Sequence, residues 1–148
     1  EVNSGEPSHY LQYSDSASAN RFEVEHIWAD KPDRHVDEFS HTTDFSEYRN
    51  RIGGLLLLPR KFNASYGALT YEEKLPHYYS QNLLVRSLNP DCYKRNPGFV
   101  AFVEHTKLPF MAHEHFRKEN LDQRQDLYRR LAERVWNPDD LLRNGGTQ

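Results

Sequence analysis

Apolar and polar residues alternate along residues 21–28, at the start of the central part of the chain. Two sets of side chains would face opposite sides of an extended chain here: Phe22, Val24 and His26, and Glu23, Glu25 and Ile27. A period of two is typical of a half-exposed strand. Residues 29–33 contain a proline and two aspartates, which interrupt strands. The pattern therefore predicts a strand that ends near Glu25 and His26, and a bend there would bring both side chains to one site.

A second strand is predicted by the leucines at positions 55–58, which two glycines precede and Pro59 follows. This run is too short for a typical helix and is bounded by helix and strand breakers. Pro59 suits the first turn of a helix. Asn63 would then lie on the first or second turn of that helix and face the two strands.

Helices are predicted for two later segments. Residues 71–88 have helical spacing, and Pro76 fits a first turn, so that this helix would begin near Glu73. Residues 122–136 carry an apolar stripe that ends before Pro138. A turn is predicted at residues 96–98, and residues 99–103 suit either a strand or a turn of buried helix. The predicted fold is α+β, with two strands and a crossing helix at its centre and further helices packed around them.

Length and composition indicate one compact domain. The chain has 148 residues, of which 36% are hydrophobic, enough for a real core. Residues 1–20 are polar and serine-rich, which predicts a flexible linker or tail. The domain is predicted over residues 21–143, with a core at about 22–75 and helical support over 76–143. The opening residues also suggest a domain excised from a larger protein.

Several classes of protein are disfavoured by composition. The single cysteine, Cys92, excludes an internal disulfide and fits a reducing cytoplasm. The longest apolar stretch, residues 52–58, is far shorter than the roughly 18 residues that a membrane helix needs. No signal-peptide pattern is visible. A net charge of −3 argues against general coating of nucleic acids.

Three side chains suggest hydrolytic chemistry. A neutral imidazole such as His26 is the natural general base, because the ordinary pKa of histidine, about 6.5, lies near working pH. Glu25 and Asn63 offer hard oxygen ligands, which suit Mg²⁺ or Mn²⁺ rather than a soft metal. Their order and spacing are compatible with a nuclease that uses one metal ion.

These residues carry a resemblance to a known family. The pattern [DE]-H-I, followed by N-x-x-G-N-L-x-L-L-x4-N, is met by Glu25-His26-Ile27, Asn50, Gly53, Leu55, Leu57, Leu58 and Asn63. The chain is similar over about residues 22–136 to the GmrSD-type nuclease domain, a His-Me finger (HNH-like) family of modification-dependent restriction proteins. Residues 26–84 most resemble the C-terminal domain of SspE-like proteins, which restrict phosphorothioate-modified DNA.

The resemblance implies a ββα-metal core and a metal-dependent endonuclease that nicks or cleaves duplex DNA. It implies His26 as general base, and Glu25 and Asn63 as ligands of Mg²⁺ or Mn²⁺. It also implies an effector domain of a restriction system against phage DNA in the cytoplasm. An N-terminal domain of the full-length protein would then sense DNA modification and hydrolyse nucleotide.

One position departs from the family pattern. Gly54 replaces the usual asparagine, which helps to orient the histidine in related nucleases. Asn50 is a candidate to take over that task. The alternative is a catalytically inactive DNA-binding or assembly module that keeps the fold.

Basic residues follow the first half of the motif. Between residues 49 and 71 there is no acidic residue, while Arg49, Arg51, Arg60 and Lys61 are present. Lysine and arginine contacts to phosphate give sequence-independent affinity, so these four are candidate DNA contacts. Lys74 is added because the family often has lysine there, although a solvated helix lysine is the other interpretation.

A second possible metal site is the run His113-Glu114-His115, whose two imidazoles would chelate a metal from a strand. No cysteine or third histidine stands close by in the sequence, whereas structural zinc sites usually have four ligands.

Overall fold

The computed structural model describes residues 21–137 together with the isolated residues Leu11 and Asp139. Within residues 21–137, the chain forms two strands and seven α-helices, which confirms the predicted α+β class. The elements are β1 (Phe22–His26), a 3₁₀ turn (Pro32–His35), α1 (Thr42–Arg49), a 3₁₀ turn (Ile52–Gly54), β2 (Leu55–Pro59), α2 (Arg60–Tyr66), α3 (Tyr71–Tyr78), α4 (Leu83–Arg86), α5 (Asp91–Lys94), α6 (Pro97–Thr106) and α7 (Lys118–Val135). The predicted linker or tail lies outside the described residues, apart from Leu11.

The two strands and α2 form the predicted ββα unit. β1 and β2 pair antiparallel, with His26 opposite Leu55. The pairing continues beyond β1, because the Ile27 N–H donates to the Gly54 carbonyl at 2.9 Å. Pro59 ends β2 and caps α2, which begins at the next residue and contacts both strands.

The two faces of this small sheet have different environments. Leu56 lies opposite Glu25 on the face that packs against the core, and both side chains are buried. Val24 and Leu57 lie opposite each other on the other face and are about half exposed. That open face lines an apolar cavity of 560 Å³ between the sheet, α4, α6 and α7. Strand geometry thus directs Glu25 inward and His26 to the open face.

An aromatic core anchors the segment that follows β1. Trp28 is buried, stacks on Phe45 at a ring separation of 5.9 Å, and donates its indole N–H to the Phe116 carbonyl at 2.8 Å. A buried indole needs such an acceptor. The end of β1 is therefore fixed against both α1 and the segment that leads into α7.

The predicted helix over residues 71–88 is two helices, and its predicted start is wrong. Thr70 and Glu73 form a capping box, so α3 begins at Tyr71 and Pro76 lies inside it rather than in its first turn. α3 ends at Tyr78. Asn82 then caps α4, because its side-chain oxygen accepts from the Val85 N–H at 3.3 Å.

The predicted turn at residues 96–98 is the start of a helix. The Asn96 side chain accepts from the Phe99 N–H at 3.0 Å, and Pro97 occupies the first turn of α6. Residues 99–103, for which the sequence left strand and helix open, are therefore helical. α7 likewise begins at Lys118, earlier than predicted. Among the helices of residues 21–137, none combines the length and the apolar character needed to cross a bilayer.

Candidate active site

His26 stands at the end of β1 with its ring held by Asn50. His26 Nε2 and Asn50 Oδ1 are 2.9 Å apart, and Asn50 Nδ2 donates to the Ser46 carbonyl of α1 at 2.9 Å. Because the amide nitrogen is used by that carbonyl, the amide oxygen faces the ring and can only accept. The neutral imidazole therefore carries its proton on Nε2, and Nδ1 is the basic nitrogen.

A side chain at position 54, where the family has asparagine, would require its neighbours to move by a few tenths of an ångström. A Cβ at position 54 would lie 3.1 Å from the Arg49 carbonyl oxygen and 3.1 Å from a methyl group of Leu121. Leu121 is fully buried on α7. The packing of α7 thus leaves little room for a side chain at position 54, while Asn50 contacts the histidine from the end of α1.

Glu25 is paired with Lys74 beneath the sheet. Lys74 Nζ lies 2.5 Å from Glu25 Oε1, 2.9 Å from the His26 carbonyl oxygen and 3.3 Å from that of Ile27. The Lys74 side chain is only 1% exposed. Burial lowers the pKa of Lys74, and the Glu25 carboxylate opposes that shift. Its burial corrects two expectations for Lys74, because the ammonium neither faces DNA nor is solvated.

Glu25 and Asn63 each keep an oxygen outside the hydrogen bonds of the described residues. Lys74 occupies Oε1 of Glu25, which leaves Oε2. Asn63 donates its Nδ2 to the Val24 carbonyl at 3.2 Å and lies 3.5 Å from a Glu23 carboxylate oxygen, which leaves Oδ1. Both remaining atoms are hard oxygens, so the donor set fits Mg²⁺ or Mn²⁺ in its chemistry. The hydrogen bonds to β1 also confirm that Asn63 faces the strands.

The predicted basic stretch is partly neutralised by acidic residues from elsewhere in the chain. Arg51 lies 3.2 Å from Glu47 and 3.7 Å from Asp122, and its guanidinium stacks on the Tyr48 ring. The Arg60 side chain is 61% exposed and lies 3.6 Å from Glu23. Of these arginines, Arg60 is the more accessible to a phosphate.

Arg49 has a different environment. Its Nε donates to the Trp28 carbonyl at 3.0 Å, and its charge acts on Lys74, lowering the pKa of that ammonium. No carboxylate pairs with Arg49 in the described part of the chain. Lys61 is exposed and lies over the Phe62 ring on the first turn of α2. Both therefore keep a positive charge near the ββα unit.

Arg34 is a candidate that the sequence analysis missed. It is exposed on the turn after β1, donates to the Ala68 carbonyl at 3.0 Å, and acts electrostatically on the same Lys74. It also lines a cavity of 470 Å³ beside Trp28 and Tyr71. Arg34 was overlooked because the sequence around it is rich in acidic residues. Its position shortly after the predicted strand end could have identified it.

His113 and His115 have separate environments. His113 is buried against Phe116, whereas His115 is exposed and lies 2.9 Å from Glu72. Within the described residues, no group of three or more histidine, cysteine, aspartate or glutamate side chains is placed to hold a metal ion. The predicted strand is also absent there, because the segment between α6 and α7 has no regular structure.

Burial gives His113 a measurable effect on acid stability. Desolvation lowers its pKa to about 4. His113 therefore takes up a proton near pH 6.5 in the unfolded chain but only near pH 4 in the folded chain. The free energy of unfolding is unaffected by His113 above pH 6.5 and decreases as the pH falls toward 4. At pH 4 the loss amounts to about 3 kcal/mol. His113→Gln is expected to abolish this component, measured by urea unfolding from pH 7.5 to pH 4. His105→Gln, at an exposed position, should retain the wild-type dependence of the unfolding free energy on pH. The same dependence in His113→Gln would refute the role of His113.

Comparison with known proteins gives one family. The family model for the C-terminal domain of GmrSD restriction endonucleases matches residues 4–131, most of the chain. The match spans the ββα unit and nearly all of the helices packed around it. No curated protein and no solved structure matches the chain.

Proposed function

Because the chain belongs to the family of GmrSD restriction endonuclease C-terminal domains, we propose that it is a metal-dependent endonuclease that nicks or cleaves duplex DNA. A nuclease function in restriction follows from the family. The observation that carries the finer proposal is the hydrogen-bonded series from Ser46 through Asn50 to His26. It presents one imidazole, with a defined basic nitrogen, at the end of β1.

His26 is the general base in this proposal. Its Nδ1 takes the proton of the attacking water, and the positive charge that develops on the ring is stabilised through Nε2–H and the Asn50 oxygen. Asn50 is thus a positioning residue for the base. A fixed ring matters because proton transfer requires the base to be within hydrogen-bond reach of the water.

A divalent metal ion, Mg²⁺ or Mn²⁺, would be held by Glu25 Oε2 and Asn63 Oδ1, with water and phosphate completing its coordination. When bound, it stabilises the charge on the phosphate and on the leaving oxygen. Glu25 brings a negative charge to that site, and Lys74 compensates part of it from the buried side.

Phosphate binding is assigned to Arg34, Arg49, Arg60 and Lys61. These side chains are supported by their exposure or by their lack of a carboxylate partner, and contacts of this kind bind the DNA backbone irrespective of sequence. We further propose that the domain acts on phage DNA in the cytoplasm. An N-terminal modification-sensing nucleotidase domain would control it, and phosphorothioate is the modification that the resemblance to SspE-like proteins favours.

The proposal is tested by conversion of supercoiled plasmid to nicked or linear DNA in Mg²⁺ or Mn²⁺, with EDTA and His26→Ala protein in parallel. Cutting that needs the metal and His26 supports the nuclease. Gel retardation of DNA without metal and without any cutting would support the inactive binding module instead. Plasmid carrying phosphorothioate, assayed with the full-length protein, tests the modification.

Asn50→Ala is expected to reduce the rate of cleavage by about 10- to 100-fold, since the ring loses its orientation and its fixed tautomer. Asn50→Asp is the matched variant, because it retains an oxygen toward Nε2. Its carboxylate stabilises the protonated ring, so the acidic limb of the pH–rate profile should move to higher pH. Wild-type rates and an unchanged profile in both variants would show that Asn50 does not position the base.

Arg34→Gln is expected to weaken DNA binding and to reduce the slope of log affinity against log salt by about 1, the signature of one lost phosphate contact. Fluorescence anisotropy of a labelled duplex at several salt concentrations measures both. Arg95→Gln removes an exposed arginine next to α5 and controls for net charge. Equal slopes in the two variants would remove Arg34 from the DNA-binding surface.

A further inference from the structure

The end of β1 has a geometry that a regular strand does not allow. Successive carbonyl groups of a strand point to opposite edges of the sheet, because the hydrogen-bonding groups alternate. Here the carbonyl oxygens of His26 and Ile27 both accept from Lys74 Nζ, at 2.9 Å and 3.3 Å. One ammonium reaches two consecutive carbonyls only where the backbone has turned out of the strand.

Lys74 completes its hydrogen bonding with the carboxylate that precedes the turn. An ammonium has three donors, and they meet three acceptors: the two carbonyls and Glu25 Oε1, at 2.5 Å. The three acceptors belong to consecutive residues. The side chain that joins them comes from a different element, α3.

Lys74 is itself held in place. α3 is fixed at its start by the capping box of Thr70 and Glu73, and buried Tyr71 and Tyr78 flank Lys74 along the helix. The Lys74 side chain is almost wholly enclosed. A buried ammonium on a fixed helix is a rigid anchor, so it can impose a backbone shape on the strand end.

We propose that Lys74 is a positioning residue that holds the turn at the end of β1 and thereby fixes the positions of Glu25 and His26 in the proposed nuclease site. The inference rests on the proposed function, because it assigns both residues to that site. Lys74 itself contacts neither DNA nor metal ion. It acts through the backbone of His26 and through the carboxylate of Glu25.

The inference is distinguished from a purely structural ion pair by its effect on His26. A structural pair would affect stability when it is removed, but the His26 ring would keep its tautomer and its contact with Asn50 in every folded molecule. A positioning residue changes the ring in the folded protein. Nitrogen NMR of the imidazole reports the tautomer directly and does not depend on cleavage.

The experiment uses three variants of the full chain. Lys74→Met removes the anchor and leaves the Glu25 carboxylate buried without a partner, which threatens folding. Glu25→Gln/Lys74→Met removes both charges, so it tests the anchor without that penalty, against Glu25→Gln alone. Lys94→Met, an exposed lysine on α5, is the matched control.

Loss of the anchor in folded protein is expected to lower kcat by about 10²-fold, the cost of a misplacement of about 1 Å, while KM for DNA changes little. The Nε2–H tautomer of His26 should give way to a mixture. For the double variant, kcat and the His26 tautomer are both compared with those of Glu25→Gln. If Glu25→Gln has no measurable cleavage, the comparison of the His26 tautomer tests the inference.

An unchanged His26 spectrum in folded Lys74→Met or in the double variant would overturn the inference. If neither variant folds, the wild-type protein decides. Scalar couplings across the hydrogen bonds from Lys74 Nζ to the carbonyl carbons of His26 and Ile27 support the anchor, and their absence rejects it. If the wild-type domain shows these couplings but does not cut DNA, the result counts against the proposed function alone.

Discussion

Replacing His26 by alanine is expected to reduce metal-dependent nicking of plasmid DNA by about 10³-fold, the middle of the range for loss of a general base. The reason is the fixed tautomer. Asn50 occupies Nε2, so the proton of the attacking water has one acceptor on the ring, Nδ1. The alanine removes that acceptor and leaves the neighbouring backbone unchanged. Initial rates of nicking over pH 5.5–9 measure the effect.

The binding of DNA should survive this substitution, since the candidate phosphate contacts lie on other side chains. Anisotropy with a labelled duplex in Ca²⁺ or EDTA provides that control. His41→Ala, on the exposed loop before α1, is the matched histidine variant and should cut at the wild-type rate. Partial recovery of the His26→Ala protein by added imidazole would identify the missing group as a base. Near-wild-type cutting by His26→Ala would exclude His26 from the chemistry.

The ββα unit was predictable because its information is local. Alternation over residues 21–28 marks β1, and breakers on either side of the leucines mark β2. The position of Asn63 then follows from Pro59, which ends β2 and suits the start of a helix because it has no N–H to donate. Each of these inferences needs only neighbours in sequence, so each survives without knowledge of the tertiary structure.

The environment of Lys74 was not predictable in the same way. Its partners, Glu25 and the carbonyls of His26 and Ile27, lie more than forty residues earlier in the chain. A lysine on a predicted helix is usually solvated, because burial of an ammonium needs acceptors that only the tertiary fold provides. The contact between Arg51 and Asp122 was not predictable for the same reason, since Asp122 belongs to the distant α7.

The helix boundaries failed for a different reason, the competition between side-chain caps and apolar spacing. Apolar residues continue at helical intervals through residues 71–88, yet α3 ends at Tyr78 and Asn82 begins a new helix by accepting a hydrogen bond from a backbone N–H. Asn96 does the same ahead of a Pro-Gly pair that by itself favours a turn. A single side-chain hydrogen bond marks the start of each of these helices, and the apolar spacing does not reveal it.

Gly53→Ala is expected to destabilise the fold by about 3 kcal/mol or more, at or above the upper end of the usual cost of overpacking. A Cβ at position 53 would stand 2.2 Å from the Leu121 carbonyl oxygen and 2.8 Å from the Gln125 N atom. Both atoms belong to the backbone of α7, so no side-chain rotation relieves the contact. The substitution must push α7 away from the turn that precedes β2. β2 is the strand that pairs with β1 and so with His26. Urea unfolding at pH 7.5 measures the loss.

Gly67→Ala is the matched control for the same change. Gly67 follows α2 with right-handed helical angles, and a Cβ there would meet nothing within 4 Å. Alanine at such a position restricts the unfolded chain more than it strains the folded one, and stabilises by about 0.4–1 kcal/mol. The two glycine substitutions should therefore change the free energy of unfolding in opposite directions. Equal, small effects would show that α7 does not pack on Gly53, and would also remove the packing argument for the missing asparagine at position 54.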